Sequence, residues 1–397
     1  MKFACFVVPH LGGPYILFRN LREGLARFGI DLHWLGCGPE AHAAAANPRN
    51  QAELNWGTVV GQPDDAPVEQ ARALIRAIES GGFDGVLLMV LADPVQTNLA
   101  RYLDPQLLRV MIVNSITPGT YAAARSIAGH VHATVGVSPR IRSDLIAGGG
   151  FDPEWTVAIL NGTYQPPERV RPPPQGGLRL LSFGRVEDQS KGIFWLPSIL
   201  AGTPDDVILT IGGDGPDLER LKAACAPLGR RVVFQGAVAP HQVHDLMAAH
   251  DVFIMPSRYE GFGLTLVEAM MGGCVPVVSR VRGVTDIIVD DGETGLLFPV
   301  GDTAKAASLI TRLARDPALV TQMSVRAIRS ARQRFRTDTM ASAYRDLILR
   351  LCGSPPPVAA SLDLAQWSLP SGLRPGLRTL LPQPIKNLIR TFSERRL

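Results

Sequence analysis

The chain has 397 residues, 46% of them apolar and 19% charged. That length argues for two to three domains, and the composition excludes a disordered chain. The net charge of +4 is carried entirely from Ser354 onward. There Arg374, Arg378, Lys386, Arg390, Arg395 and Arg396 outweigh Asp363 and Glu394, so a neutral body argues against a nucleic-acid-binding one.

Phe3–Val8 reads as a first strand rather than a leader, since no small-residue cleavage site follows it. Further apolar runs at 31–37, 85–91, 109–113, 131–137 and 156–160 alternate with helical stretches such as Ile16–Phe28 and Ala66–Glu79. Short, near-continuous apolar runs joined by helices predict a parallel sheet covered on both faces. Gly38–Pro67 lacks periodicity and reads as an irregular insertion. The Pro-rich stretch 166–177 cannot continue a helix or strand and reads as a linker.

The β-α pattern then restarts. Strands are predicted at 178–183, 206–211, 231–235, 251–255, 275–279 and 295–298. Helices are predicted at 192–201, 216–228, 240–249, 264–271 and 303–334. The fold class is therefore α/β, with two Rossmann-like domains (1–165 and 178–335) whose parallel sheets are expected to face across a cleft. Residues 336–352 form a final helix expected to pack back across the hinge, and 353–397 a basic, Pro-containing tail. No apolar run approaches the ~18 residues of a membrane span. Five scattered cysteines, Cys5, Cys37, Cys225, Cys274 and Cys352, lack metal spacing and fit a reducing cytoplasm.

The chemistry concentrates in Pro256–Gly273. A strand ends at Met255, a loop carries Glu260, Gly261, Phe262 and Gly263, and a helix opens at Leu264 with Glu268 in its early turns. Glycines let backbone N–H groups approach a ligand, and a helix start offers unpaired donors with the positive end of its dipole. This suits a diphosphate, with carboxylates on either side for hydroxyl groups. Other clusters carry less. His241, His244, Asp245, His250 and Asp251 crowd one helix and its end and read as a solvated face, so no metal site is expected. Gly212–Gly215 lacks the spacing of a dinucleotide fingerprint.

The Glu260/Glu268 spacing, with Gly-Phe-Gly inside it and Glu-Ala-Met closing it, resembles the E-x7-E region of retaining GT-B glycosyltransferases of family 4. Phe183-Gly184-Arg185 followed by Lys191-Gly192 resembles that family's second signature. Gly12-Gly13-Pro14, Ile159–Gly162 and Ile211–Pro216 agree in order along the chain. The resemblance spans about residues 1–350. It implies a metal-independent, cofactor-free transfer of a sugar from a nucleotide diphosphate sugar to a glycan or lipid-linked acceptor held mainly by the first domain. Arg185 and Lys191 would hold the diphosphate, where fixed cations stabilise the charge that grows on the leaving group. Glu260 would hold a donor-sugar hydroxyl, Glu268 the ribose, and Gly12, Gly13, Gly261, Phe262, Gly263 and Leu264 would line the donor.

One departure is visible. Where family members often carry a histidine near the donor sugar, this chain has Val113-Asn114-Ser115. His10, Asn114 and Ser115 are the candidate sugar contacts in its place. The departure keeps a non-catalytic nucleotide-sugar-binding protein as an alternative; a GT-B nucleotide-sugar epimerase is the alternative among enzymes, although it would lack the Glu260/Glu268 pair in this setting. In the tail, Ile385, Leu388, Ile389 and Phe392 recur at helical spacing among basic residues. This helix is expected either to pack on the first domain or to lie peripherally on the inner membrane surface.

Overall fold

The computed structural model describes every residue except Leu11, residues 91–92, residues 168–175 and Leu397. The chain divides into two compact units. The first comprises Met1–Gly162 and Thr337–Leu380, the second Thr163–Arg336 and Leu381–Leu397.

The first unit holds a seven-stranded parallel sheet. Its strands are β1 (Lys2–Phe6), β2 (Asp31–Cys37), β3 (Gly57–Val60), β4 (Gly85–Met89), β5 (Leu108–Val113), β6 (Ala133–Gly136) and β7 (Thr156–Ala158). Their order is β3-β2-β1-β4-β5-β6-β7. Every residue of β4 and β5 is buried, as expected of a sheet covered on both faces. The Thr337–Gly353 helix belongs to this unit. It lies so close to the Gly13–Ala26 helix that a Cβ on Gly24 would come within 2.5 Å of the Ala341 Cβ.

Gly38–Pro67 is not the irregular insertion expected. Gly38–Ala46 is helical, Pro48–Trp56 forms 3-10 turns, and Gly57–Val60 adds the edge strand β3. The alanine-rich helix has too weak an apolar stripe to show periodicity, and β3 offers only two valines. Gly57 is required there, since its missing Cβ would sit 2.2 Å from the Trp34 carbonyl oxygen.

The second unit holds a six-stranded parallel sheet of β8 (Arg179–Phe183), β9 (Ile208–Gly212), β10 (Val232–Gly236), β11 (Val252–Met255), β12 (Val275–Arg280) and β13 (Leu296–Pro299). The order is β10-β9-β8-β11-β12-β13. The order reverses between β8 and β11, and ligands of open α/β sheets bind outside the strand ends at such a point. The core beneath includes Leu180, Leu209, Ile254, Val277 and Phe298.

The single helix expected over 303–334 is two, Thr303–Arg315 and Pro317–Arg334. Pro317 cannot continue the first, and the Asp316 side chain caps the second through the Leu319 N–H. Most of the expected linker, residues 168–175, lies outside the described residues. The histidine cluster is not a uniformly solvated face. His250 is buried with Nδ1 2.7 Å from the Leu246 carbonyl, and fully buried Asp251 receives the Arg179 guanidinium at 3.0 and 3.1 Å. These two lie in the short connection between the Val243–Ala248 helix and β11, where the chain turns into the sheet.

The tail folds in two places. Ser371–Leu373 packs on the Pro118–Ile127 helix of the first unit, where Gly372 meets the Ala122 carbonyl. The Gln383–Arg396 helix belongs instead to the second unit.

Candidate active site

Two loops flank the strand-order reversal of the second sheet. The loop after β8 carries Arg185 and leads into the short helix Asp188–Lys191; the loop after β11 carries Glu260. Topology thus joins residues separated by sixty-nine positions. Lys191 Nζ donates to Glu260 Oε1 at 2.7 Å, and Ser257 Oγ donates to the same oxygen at 2.6 Å. Both contacts fall on Oε1, which leaves Oε2 available among the described residues. Glu260 is 8% exposed and Lys191 half-buried, so the pair is poorly screened by solvent.

The two loops are also fastened together through their backbones. The Arg258 N–H donates to the Ser190 carbonyl at 2.7 Å. Its guanidinium reaches the Asp188 carbonyl at 3.1 Å and Asp188 Oδ2 at 2.8 Å, and stacks on Trp195 at 3.9 Å. Gly192 has φ +60°, and a Cβ there would sit 2.3 Å from the Pro256 carbonyl oxygen. Only glycine lets the Lys191 segment lie this close to the Glu260 loop.

Arg185 is exposed on the rim of a pocket that Gly184, Lys191, Gly212, Pro256 and Thr265 also line. Its own segment is braced by Gly212–Gly215, where the Val186 N–H donates to the Asp214 carbonyl at 2.9 Å. That glycine run is structural here. Beside the pocket the Leu264–Met271 helix opens at Gly263, which has φ +107° and no side-chain cap. First-turn N–H groups are therefore left facing outward for an anion. Gly261 and Leu264 are half-buried on this loop. Phe262 is buried edge-on against Phe335, with ring centroids 5.7 Å apart, so its ring anchors the loop.

Glu268 is half-buried one turn into that helix. Desolvation pushes its carboxyl from the ordinary 4.5 up to about 7, and a long 3.4 Å hydrogen bond from Thr163 Oγ1 offsets only part of this. A carboxylate so starved of donors is poised to accept hydroxyl groups.

In the first unit, His10, Gly12 and Gly13 lie on the loop between β1 and the Gly13–Ala26 helix. The Gly12 N–H donates to His10 Nδ1 at 3.3 Å, and the helix start has no side-chain cap. Asn114 and Ser115, half-buried, follow β5, two strands away from β1 in the sheet.

Sequence reasoning missed Ser257, Arg258, Asp188 and Thr163. Ser257 could have been found as a hydroxyl three residues before Glu260 in one loop. Thr163, 105 residues from Glu268, left no signal.

Two parallel-sheet units with this reversal define a GT-B protein. The fold agrees with solved structures: HepE of Anabaena in complex with UDP and glucose superposes with TM-score 0.72 at 20% identity, covering 88% of this chain and all of that one. Sucrose-phosphate synthase from Thermosynechococcus elongatus gives 0.72 at 19% identity, covering 89% and 99%. The second unit is more particular: residues 177–316 match the family described as Glycosyl transferases group 1, and the chain carries that family's domain there. Among curated relatives, the sulfoquinovosyl transferase SQD2 of Arabidopsis thaliana is 32% identical over 184 residues, 45% of this chain and 31% of the relative. The N-acetyl-alpha-D-glucosaminyl L-malate synthase of Bacillus anthracis is 34% identical over 147 residues, 36% of this chain and 38% of the relative. In both, the aligned stretch spans less than two fifths of the relative's length.

Proposed function

We propose that the protein is a retaining, metal-independent glycosyltransferase that moves a sugar from a nucleotide diphosphate sugar to a glycan or lipid-linked hydroxyl. The observation that carries this reading is the Lys191–Glu260 pair beside an uncapped helix start at the strand-order reversal. The relatives' names point the same way.

In this reading the diphosphate lies against Arg185, Lys191 and the Leu264 end of the helix. As the bond between the sugar's anomeric carbon and the phosphate oxygen breaks, the electron pair stays on the phosphate. Fixed cations and helix N–H groups stabilise that charge more in the transition state than before it. Lys191 then shares its charge between phosphate and Glu260. Glu260 Oε2 accepts a sugar hydroxyl and faces the developing positive charge on the ring. The acceptor oxygen attacks from the side the phosphate leaves, and its proton passes to the departing phosphate oxygen. Glu268 accepts the ribose hydroxyls. Incubating the protein with a panel of nucleotide sugars and measuring released nucleoside diphosphate tests this. Tight donor binding with no release, suitable acceptors included, would refute turnover.

The tail supports a peripheral contact with an anionic lipid surface on the cytoplasmic side. No helix among the described residues is long and apolar enough to cross a membrane. On the Gln383–Arg396 helix, Ile385, Leu388, Ile389 and Phe392 are 45%, 71%, 53% and 54% exposed. The chain's whole net positive charge lies in this tail, and basic flanks around an exposed apolar face suit anionic headgroups. A chain ending at Pro382 should lose salt-sensitive sedimentation with phosphatidylglycerol vesicles. Equal sedimentation of both chains, or of neither, would reject the contact.

A further inference from the structure

The Gln383–Arg396 helix packs with its polar side. Gln383, Lys386, Asn387, Arg390, Thr391 and Glu394 are the half-buried positions, at helical spacing, while the apolar face is exposed. A helix held by apolar burial would show the reverse. Its contacts within the second unit converge on the two donor loops. Asn387 Nδ2 donates to Asp188 Oδ2 at 3.2 Å, and Arg258 donates to Thr391 Oγ1 at 3.2 Å. The Arg390 guanidinium lies 3.7 Å from the centre of the Tyr259 ring, at cation–π distance. Further along, Arg395 Nε donates to the Val300 carbonyl at 2.7 Å.

Asp188, Arg258 and Tyr259 are not arbitrary anchors. Asp188 begins the turn that ends in Lys191, and Arg258 and Tyr259 immediately precede Glu260. Asp188 accepts from both Arg258 and Asn387 on one oxygen, so helix and loops share a single hydrogen-bonded knot.

We propose that the Gln383–Arg396 helix is a clamp on the donor site, with Asn387, Arg390 and Thr391 as positioning residues that hold the Lys191 and Glu260 segments in register. The inference rests on the reading of Lys191 and Glu260 as donor groups. Among the described residues, no hydrogen bond or ion pair joins these three to the Lys191 ammonium or the Glu260 carboxylate, whose partners are each other and Ser257. Their effect passes through loop geometry, where a displacement of about 1 Å can cost on the order of 100-fold in rate. The domain match ends at residue 316, so the clamp belongs to sequence outside the matched domain.

The test compares the full chain with the Arg390→Ala/Thr391→Ala double variant, Arg390→Lys, and a chain ending at Pro382. Amide hydrogen exchange over 186–191 and 256–263 reads loop order without requiring turnover. The double variant and the shortened chain should exchange about 10-fold faster there, with thermal unfolding of the rest little changed. Transfer should fall about 10-fold, mostly in kcat. Arg390→Lys, which keeps a cation over Tyr259, should retain most of the activity and protection. A synthetic 383–397 peptide should restore protection to the shortened chain. Unchanged exchange in the double variant overturns the clamp, whether or not the shortened chain folds. Arg185→Ala, measured alongside, separates the two failures. If Arg185→Ala weakens transfer and the clamp variants do not, only the clamp falls; if Arg185→Ala is also silent, the donor reading falls.

Discussion

Glu268 offers the sharpest test of the site, because its carboxyl is displaced from 4.5 to about 7 chiefly by desolvation. The folded protein holds this proton more tightly than the unfolded chain does. Between those two pH values the folded state binds more protons, so its stability falls as pH rises. Below pH 4.5 the effect is absent; above pH 7 it is complete, amounting to about 3 kcal/mol at ~1.4 kcal/mol per pH unit. Glu268→Gln keeps the shape and cannot ionise. Its unfolding temperature should match the wild type near pH 4.5–5 and exceed it at pH 8 by about 5–10 °C, at ~2–4 °C per kcal/mol for a unit of this size. Thermal unfolding of both proteins at pH 5, 6, 7 and 8 measures this. A gap that stays below about 2 °C at pH 8, or narrows as pH rises, would refute the argument. Ligand binding should run the other way. Ribose hydroxyls stabilise the carboxylate, so the affinity of the wild type for its nucleoside diphosphate should rise through pH 7, and that rise should be missing in Glu268→Gln. A thermal-shift screen of UDP, GDP and ADP identifies which nucleotide to use.

The remaining expectations concern the loops. Arg185→Ala and Lys191→Ala should each slow transfer about 10- to 150-fold through loss of a charge-assisted contact. Only Lys191→Ala should also lower the unfolding temperature, since it strands the buried Glu260 carboxylate; wild-type kinetics in both would remove the diphosphate assignment. Glu260→Gln should depress kcat more than donor affinity, and a pure KM effect in steady-state kinetics would contradict its place at the reacting sugar. Transfer should survive EDTA, because cations and a helix start already supply the positive charge; loss restored by Mg²⁺ or Mn²⁺ would overturn this. Gly192→Ala should destabilise the protein by about 1–3 kcal/mol and weaken transfer, since its φ of +60° strains any other residue and a Cβ there would collide with the Pro256 carbonyl; an unchanged denaturation midpoint would contradict it.

The sequence by itself determined the two α/β units, because strand-length apolar runs bounded by turn residues and alternating with helical stretches are what buried parallel strands leave in a sequence. It also placed Glu260 and Glu268 correctly on loop and helix, since a loop glycine, a helix start and a fixed interval are local features. It failed where the signal is weak or non-local. β3 is an edge strand with two valines, and the Gly38–Ala46 helix has an alanine surface without a stripe. Only the tertiary structure decided that Lys191 meets Glu260, that Thr163 reaches Glu268, and that Arg258 ties the loops, because these partners are 69, 105 and 70 residues apart. The tail shows the limit most clearly. Its apolar periodicity announced a helix whose apolar face was expected either to pack on the first domain or to lie on a membrane surface; in the structure the polar face makes the contacts and the apolar face is exposed. Periodicity fixes which residues share a side of a helix; which side is buried depends on the surface it meets, and here that surface offers Asp188, Arg258 and Tyr259, a carboxylate, a guanidinium and an aromatic ring that reward hydrogen bonds and a cation rather than leucines.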